Sequence, residues 1–427
     1  MKYHRIPSEL FTYNRKAFTK ELKKNSLAVI CSNDQMPTNA DGTMPFKQNS
    51  DLFWLCGVDQ EESRLLLCKD KNDEVKEYLF LKKTSELIAI WEGAKLDKKQ
   101  AYETSGIKDV FWNDDFDSFF DKIISQYDNV YLNSNEHSRA TSVVETQTDR
   151  FNKWCKGKYS KNYHKMAPIL HQLRAIKQAI EIELMQKACN ITEKGFKRVL
   201  EFVKPGVMEF EIEAEYMHEF LRSRSKGFAY EPIIASGRNA CVLHYIDNNQ
   251  ECKNGDVILM DVGAEYANYA SDMTRCIPVN GTFTERQKKV YNAVLHVMKE
   301  ATNMLKPGVL LSEYHKEVGK IMEGQLLQLG LISKHDIQKQ DAKSPAYRKY
   351  FMHGTSHFLG LDVHDVGLWD QPIQKGMVFT CEPGIYILEE SLGIRLENDL
   401  LITDEKPFDL MANIPLEADE IEDLMNQ

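Results

Sequence analysis

The chain has 427 residues, more than the roughly 250–300 at which a single core stops growing, so two domains are the natural expectation. Hydrophobic residues at 42% and charged residues at 28% are ordinary for a globular protein, and 54 Lys and Arg against 64 Asp and Glu leave a net charge of -10, which argues against a nucleic-acid partner. Nine cysteines without a C-x-x-C pair fit reduced thiols in a cytoplasmic protein; no apolar h-region follows Met1–Arg5 and no run approaches the ~20 residues that span a bilayer, so neither a signal peptide nor a membrane is expected.

Residues 1–165 read as an α/β domain. Leu27–Ile30, Arg64–Cys68, Glu77–Leu81 and Val130–Leu132 are short apolar strand runs, and Lys69–Asp73 is a polar turn between two of them. Phe116–Tyr127 has helical periodicity. Residues 152–164, with several lysines and little apolar periodicity, read as a linker, and the domain boundary is placed near 165. Met166 to about Val203 then reads as one helix, through Ile176, Ile180, Ile182, Met185 and Ala188.

Residues 166–427 contain an internal repeat. Val203-Lys204-Pro205-Gly206-Val207 recurs as Leu305-Lys306-Pro307-Gly308-Val309, a helix break between helical stretches in each copy. Gly255–Gly263 matches Gly376–Gly384, with Asp261 and Glu382 each six residues after the first glycine. A duplicated half-domain with an acid at the same place in each half is the simplest account.

Val257–Pro278 reads as a β-hairpin. A turn centred between residues 266 and 267 would set Asp261 directly opposite Asp272, on one face. Glu382 and Glu397 repeat the pattern about the polar turn Glu389-Glu390-Ser391, and strand period two places Tyr386 and Arg395 on the glutamates' faces. Paired carboxylates repel unless neutralised, and two such pairs call for cations. Hard oxygen ligands suit Mg²⁺, Mn²⁺ or Ca²⁺. A local excess of histidine, His353, His357 and His364 within a glycine-punctuated stretch, adds an imidazole and shifts the expectation towards Mn²⁺, or a related ion such as Co²⁺ or Zn²⁺.

With Asp261, Asp272, His357, Glu382 and Glu397 in order, and with His353–Gly367, Cys381–Ile387 and Gly393–Asn398 around them, the chain from Met166 to Glu422 resembles the pita-bread metallopeptidases. The likeness is to the aminopeptidase P and prolidase branch. Gln48–Gly57 is similar to the first, non-catalytic domain of aminopeptidase P enzymes. The resemblance implies a creatinase-like, RNase H-like α/β domain ahead of a pita-bread α+β domain with pseudo-two-fold symmetry. It also implies two metal ions held by the five residues, with Glu382 moving a proton. By the same resemblance His353 and His364 would steady the substrate carbonyl, His244 would line the pocket for the second residue, and Tyr386 and Arg395 would orient Asp261. Ile90-Trp91-Glu92-Gly93 is similar to a segment that reaches a neighbouring subunit's site, which implies a homo-oligomer and a substrate contact for Trp91. The implied reaction is release of the first residue from peptides with proline second. A prolidase limited to dipeptides, and a pita-bread binding module without catalysis, are the alternatives.

Overall fold

Apolar strand runs in the first part of the chain pair into one mixed sheet, described with the rest of the molecule by a computed structural model covering residues 2–341 and 344–427. Two units are distinguished, Arg5–Arg174 and Ala175–Gln427, the second taking in the first few residues as well.

The first unit runs α1 (Ser8–Glu21), β1 (Ser26–Cys31), α2 (Ser50–Cys56), β2 (Arg64–Lys69), β3 (Val75–Leu81), α3 (Glu86–Glu92), α4 (Lys98–Ser105), β4 (Asp109–Trp112), α5 (Phe116–Ile124), β5 (Asn129–Leu132), α6 (Gln147–Lys158) and β6 (Asn162–Lys165). The sheet order is β4-β3-β2-β1-β5-β6. β1, β2 and β3 form an antiparallel meander, and β4, β5 and β6 join in parallel. This is the α/β domain expected from the four strand runs. Leu27, Val29, Leu66, Phe80, Phe116, Phe120 and Val130 fill the core on one side of it.

The expected linker at 152–164 is corrected. Its first part lies in α6 and its last part reaches into the edge strand β6, paired with β5. Phe151 and Cys155, four residues apart, bury one stripe of α6 while Lys153 and Lys156 lie outside it. A stripe this narrow is hidden by the surrounding lysines. The two units part at Arg174–Ala175, at the end of α7 (Ala167–Ala175), rather than near 165.

The single helix expected over 166–203 is also corrected. It is two, α7 and α8 (Ala179–Phe202), broken at residues 176–178. At the break the Lys177 N–H donates to the Gly376 carbonyl at 2.8 Å. Gln178 and Glu181 then restart the chain with a capping box. Tertiary partners, not local propensity, decide the interruption.

The second unit continues with α9 (Glu209–Arg222), β7 (Ile233–Ser236), β8 (Val257–Val262), β9 (Glu265–Tyr266), β10 (Tyr269–Ala270), β11 (Met273–Pro278), α10 (Glu285–Met304) and α11 (Leu311–Gln328). The strands β12 (Val378–Cys381), β13 (Gly384–Ile387), β14 (Leu392–Arg395), β15 (Asn398–Leu401) and β16 (Phe408–Asp409) follow. Each half is a helix pair, α8–α9 or α10–α11, followed by hairpin strands. The repeat read from sequence extends to individual hydrogen bonds. Gly206 and Gly308, at φ +96° and +91°, turn the chain between the paired helices. Gly206 N–H donates to Cys252 O and Cys252 N–H to Val207 O, at 3.0 and 2.8 Å. Gly308 N–H donates to Ile373 O and Ile373 N–H to Val309 O, at 2.9 and 2.8 Å. Chance similarity of two pentapeptides does not reproduce a bonded pair of turns, so the pseudo-two-fold duplication stands. Among the described residues no helix is long and apolar enough to cross a membrane.

Candidate metal centre

Two hairpins deliver the acids. In the first, β8 and β11 pair Asp261 with Thr274 and Val262 with Met273, not Asp261 with Asp272. The turn is Ala267–Asn268, both at positive φ (55° and 67°), one position later than spacing predicts. Two successive residues at positive φ make the hairpin turn whose twist matches the strands. The slip moves Asp272 to a diagonal position two residues from Asp261's partner. Side chains alternate with period two, so both acids still share a face.

In the second hairpin the expected register holds. Cys381 pairs with Asn398 and Gly384 with Arg395, which brackets Glu382 against Glu397. Pro383 has no N–H to offer, and the ladder is interrupted there between β12/β15 and β13/β14. The Glu397 N–H instead donates to Thr274 O at 3.1 Å, tying the second hairpin to the first.

The structure brings Asp272, His357 and Glu397 together, each offering one ligand atom within 4.8 Å of the others. His357 Nε2 lies 3.4 Å from Asp272 Oδ2 and 3.6 Å from Glu382 Oε1. His357 Nδ1 is 3.0 Å from the Phe358 carbonyl, which only accepts, so Nδ1 carries a proton and Nε2 is the nitrogen turned to the acids. Asp261 stands beside this trio. Its carboxylate pairs with Arg395 and accepts from Tyr230 Oη at 2.7 Å, and the same hydroxyl lies 2.5 Å from Asp272 Oδ1. Arg395 also donates to Tyr386 Oη at 2.9 Å and to Thr274 Oγ1 at 3.1 Å. Tyr386 Oη lies 2.7 Å from His353 Nε2, and His353 Nδ1 donates to Gly354 O at 2.8 Å. Both ring nitrogens of His353 are thus engaged by protein groups.

The exposed His364 stacks edge-on against His357, ring centres 4.5 Å apart. His244 is exposed and near enough to His353 for its charge to weaken that ring's basicity. Trp91, on α3 in the other unit, is 81% exposed.

The electrostatics are those of four acids crowded around one guanidinium, that of Arg395. Burial, then the charge of Asp261, pushes the Asp272 carboxyl well above the usual carboxylate range. Burial, then Asp272 and Glu382, does the same to Glu397. Burial raises Glu382 to about 7, with His357 and Arg395 opposing and Asp272 and Asp261 adding to the rise. Burial lowers His353 to about 3, so that ring is neutral at working pH. Glu397 Oε1 is buried and has no hydrogen-bond partner, while its Oε2 accepts from Thr274 Oγ1 at 2.6 Å. A buried, orphaned carboxylate oxygen grouped with an imidazole and a second acid is a set of ligand atoms suited to a cation. The residues fit a divalent cation.

Sequence reasoning missed Tyr230, Thr274 and Asp399. Asp399 is fully buried and accepts the Asp272 N–H at 3.0 Å. Its signal was available, since it lies two residues after Glu397 on the same strand alternation. Tyr230 lies in Phe228–Pro232, an irregular stretch with no periodicity to mark it.

The comparisons agree with this geometry. Residues 183–404 match the metallopeptidase family M24, and residues 11–131 match the aminopeptidase P N-terminal domain. A Xaa-Pro aminopeptidase from Escherichia coli (strain K12) is 33% identical, with 98% of each chain covered. Proline aminopeptidase P II from Yersinia pestis superposes with a TM-score of 0.88 at 31% identity, over 98% of this chain and 99% of that one. The E. coli aminopeptidase P with the inhibitor Pro-Leu gives 0.88 at 32% identity over 99% of each. Acids paired across two duplicated hairpins, an imidazole between them and full-length likeness to these enzymes lead to one conclusion: the chain belongs to metallopeptidase family M24, with an aminopeptidase P N-terminal domain ahead of its metallopeptidase domain.

Proposed function

We propose that the protein is a dinuclear-metal aminopeptidase that releases the first residue from peptides with proline in the second position. The observation that carries this reading is the convergence of Asp272, His357 and Glu397 between the two duplicated hairpins, with Asp261 and Glu382 alongside. Asp272 and Glu397 would hold both ions, Asp261 one of them, and His357 and Glu382 the other. Four carboxylates and one imidazole favour Mn²⁺. When bound, the two cations supply Lewis acidity, activating water at neutral pH and offsetting charge that develops on the substrate.

The chain's own residues do the rest. Glu382, 3.6 Å from His357 beside the other acids, takes a proton from the attacking water at its carboxylate and returns it to the leaving nitrogen. Arg395, braced by Tyr386 and Thr274, fixes the orientation of Asp261. His353, held at both nitrogens, keeps the Tyr386 hydroxyl in place. His364, exposed beside His357, would donate to the substrate carbonyl as charge grows on it. His244 lines the approach for the residue after the scissile bond. The bond to proline carries no N–H, so a pocket that asks for no donor there accepts it. Nine free cysteines suit a reducing, cytoplasmic compartment. The exposed Leu87, Ile90 and Trp91 of α3 suit assembly into a homo-oligomer in which Trp91 meets peptide substrate.

The test is cleavage of Gly-Pro-Ala and Gly-Pro by Mn²⁺-loaded protein. Release of glycine from the tripeptide is expected, and Asp272→Ala should remove both that activity and metal binding. Hydrolysis of the dipeptide alone would make the protein a prolidase. Wild type that binds no metal and cuts neither peptide would make it a binding module.

A further inference from the structure

The turn that carries His364 is folded around a buried ion pair that the reaction itself does not use. Lys177 Nζ lies 3.1 Å from Asp365 Oδ2, and both side chains are at most 2% exposed. Lys177 comes from the break between α7 and α8, far from the turn in sequence. Its backbone is fixed independently, through its N–H bond to Gly376 O.

The turn closes on the carboxylate. Asp365 N–H donates to Phe358 O at 2.9 Å, and Gly360 N–H donates to Asp362 O at 3.2 Å. A Cβ on Gly360 would sit 2.1 Å from Asp365 Oδ2 and 2.9 Å from Lys177 Nζ. Only glycine lets the backbone pass so close to the pair. Gly360 O in turn accepts the Ala270 N–H at 2.8 Å, two residues before Asp272. The turn therefore joins His357, through Phe358, to the strand of Asp272, and it ends on His364, the neighbour of Asp365. His364 is exposed and lies edge-on to His357, and this turn is the backbone that carries it.

We infer that Lys177 and Asp365 are positioning residues for His364. They set the turn so that the imidazole points at the reacting carbonyl. Burying an ion pair is costly, and breaking one is costlier still; a hydrophobic pair of similar volume would fold the turn without fixing its register against α8.

This inference rests on the aminopeptidase reading, and the test keeps the two apart. kcat and KM on Gly-Pro-Ala are measured for wild type, His364→Ala, Asp365→Asn and the double variant. Metal stoichiometry is determined for each, and the His364 ring resonances are followed by NMR in the metal-free protein. His364→Ala and Asp365→Asn are each expected to lower kcat by about a hundredfold, the scale of losing one transition-state donor. KM and metal content should change little. The double variant should be no worse than about twofold below either single, since both changes disable one group. The His364 resonances should move in Asp365→Asn even without metal. Multiplicative losses in the double variant, or unmoved His364 resonances, would overturn the inference. If Asp365→Asn does not fold, Lys177→Arg serves in the same cycle; it keeps the charge but displaces the buried head group. A wild type with no peptidase activity would instead defeat the parent reading, leaving the NMR arm to judge the pair alone.

Discussion

At the scale of single residues, the site is a set of acids whose protonation opposes its purpose. Without metal, the folded form holds protons on Asp272, Glu397 and Glu382 that the unfolded chain has released above its ordinary carboxylate pKa of about 4. The unfolded state then binds fewer protons, so stability falls as pH rises. For the metal-stripped protein, stability from these groups should be fully present below about pH 4 and be lost progressively towards and beyond pH 7, where Glu382 titrates. Urea midpoints of EDTA-treated protein at pH 5 and pH 8 measure this, and Glu382→Gln should flatten part of the slope. Metal-loaded protein should gain from rising pH, because ligands must be deprotonated to bind. A metal-free slope of the opposite sign would mean that the carboxylates are not crowded. The four acids among the metal-ligand candidates were legible because acids at matched hairpin positions leave a periodic trace, and His357 because three histidines crowd one glycine-punctuated stretch. Tyr230 was not, because a hydroxyl brought in from an irregular segment leaves none.

At the scale of elements, the repeated turn is the clearest feature. Gly206 and Gly308 have open space where a Cβ would go, so the cost of a side chain there is purely conformational. Replacing either with alanine should cost about 1–2 kcal/mol, the usual penalty of the left-handed region for an L-residue. The two costs should add, since distant sites without shared partners behave independently. Urea unfolding of both single variants and the double checks this; a cost confined to one half would show that the two turns are not equivalent. The hairpins show what sequence resolves at this scale. Their shared face followed from period two for either of the two-residue turns. Their register depended on which residues accept positive φ, and Ala267 gives no sign that it does. The break at Lys177 and the hidden stripe of α6 escaped for another reason. Both are decided by partners distant in the chain, the Gly376 carbonyl and Asp365 for one and the sheet core for the other.

At the scale of the whole molecule, the duplication and the two-unit organisation were legible from pattern and length. Their boundary was less so, because α7, which begins just after the expected position, still lies almost wholly in the first unit. One feature at this scale left no pattern at all. The first few residues belong with the second unit: Tyr3 is buried there with its ring centre 6.3 Å from that of Tyr266, and the His4 N–H donates to Tyr266 Oη at 3.2 Å. Tyr266 adjoins the turn of the hairpin that bears Asp261 and Asp272. Tyr3→Ala should therefore destabilise the protein by about 3 kcal/mol, the low end for deleting a buried aromatic ring. Thermal unfolding measures it, and a change under about 0.5 kcal/mol, the level of an ordinary surface substitution, would mean that the contact does not hold.

That tether also orders events during synthesis. Tyr3 and His4 are made long before their docking surface, which follows some 262 positions later. That segment must therefore stay undocked until the hairpin of Tyr266 has been made. A bulky label placed beside Tyr3 and His4 would hinder that late closure.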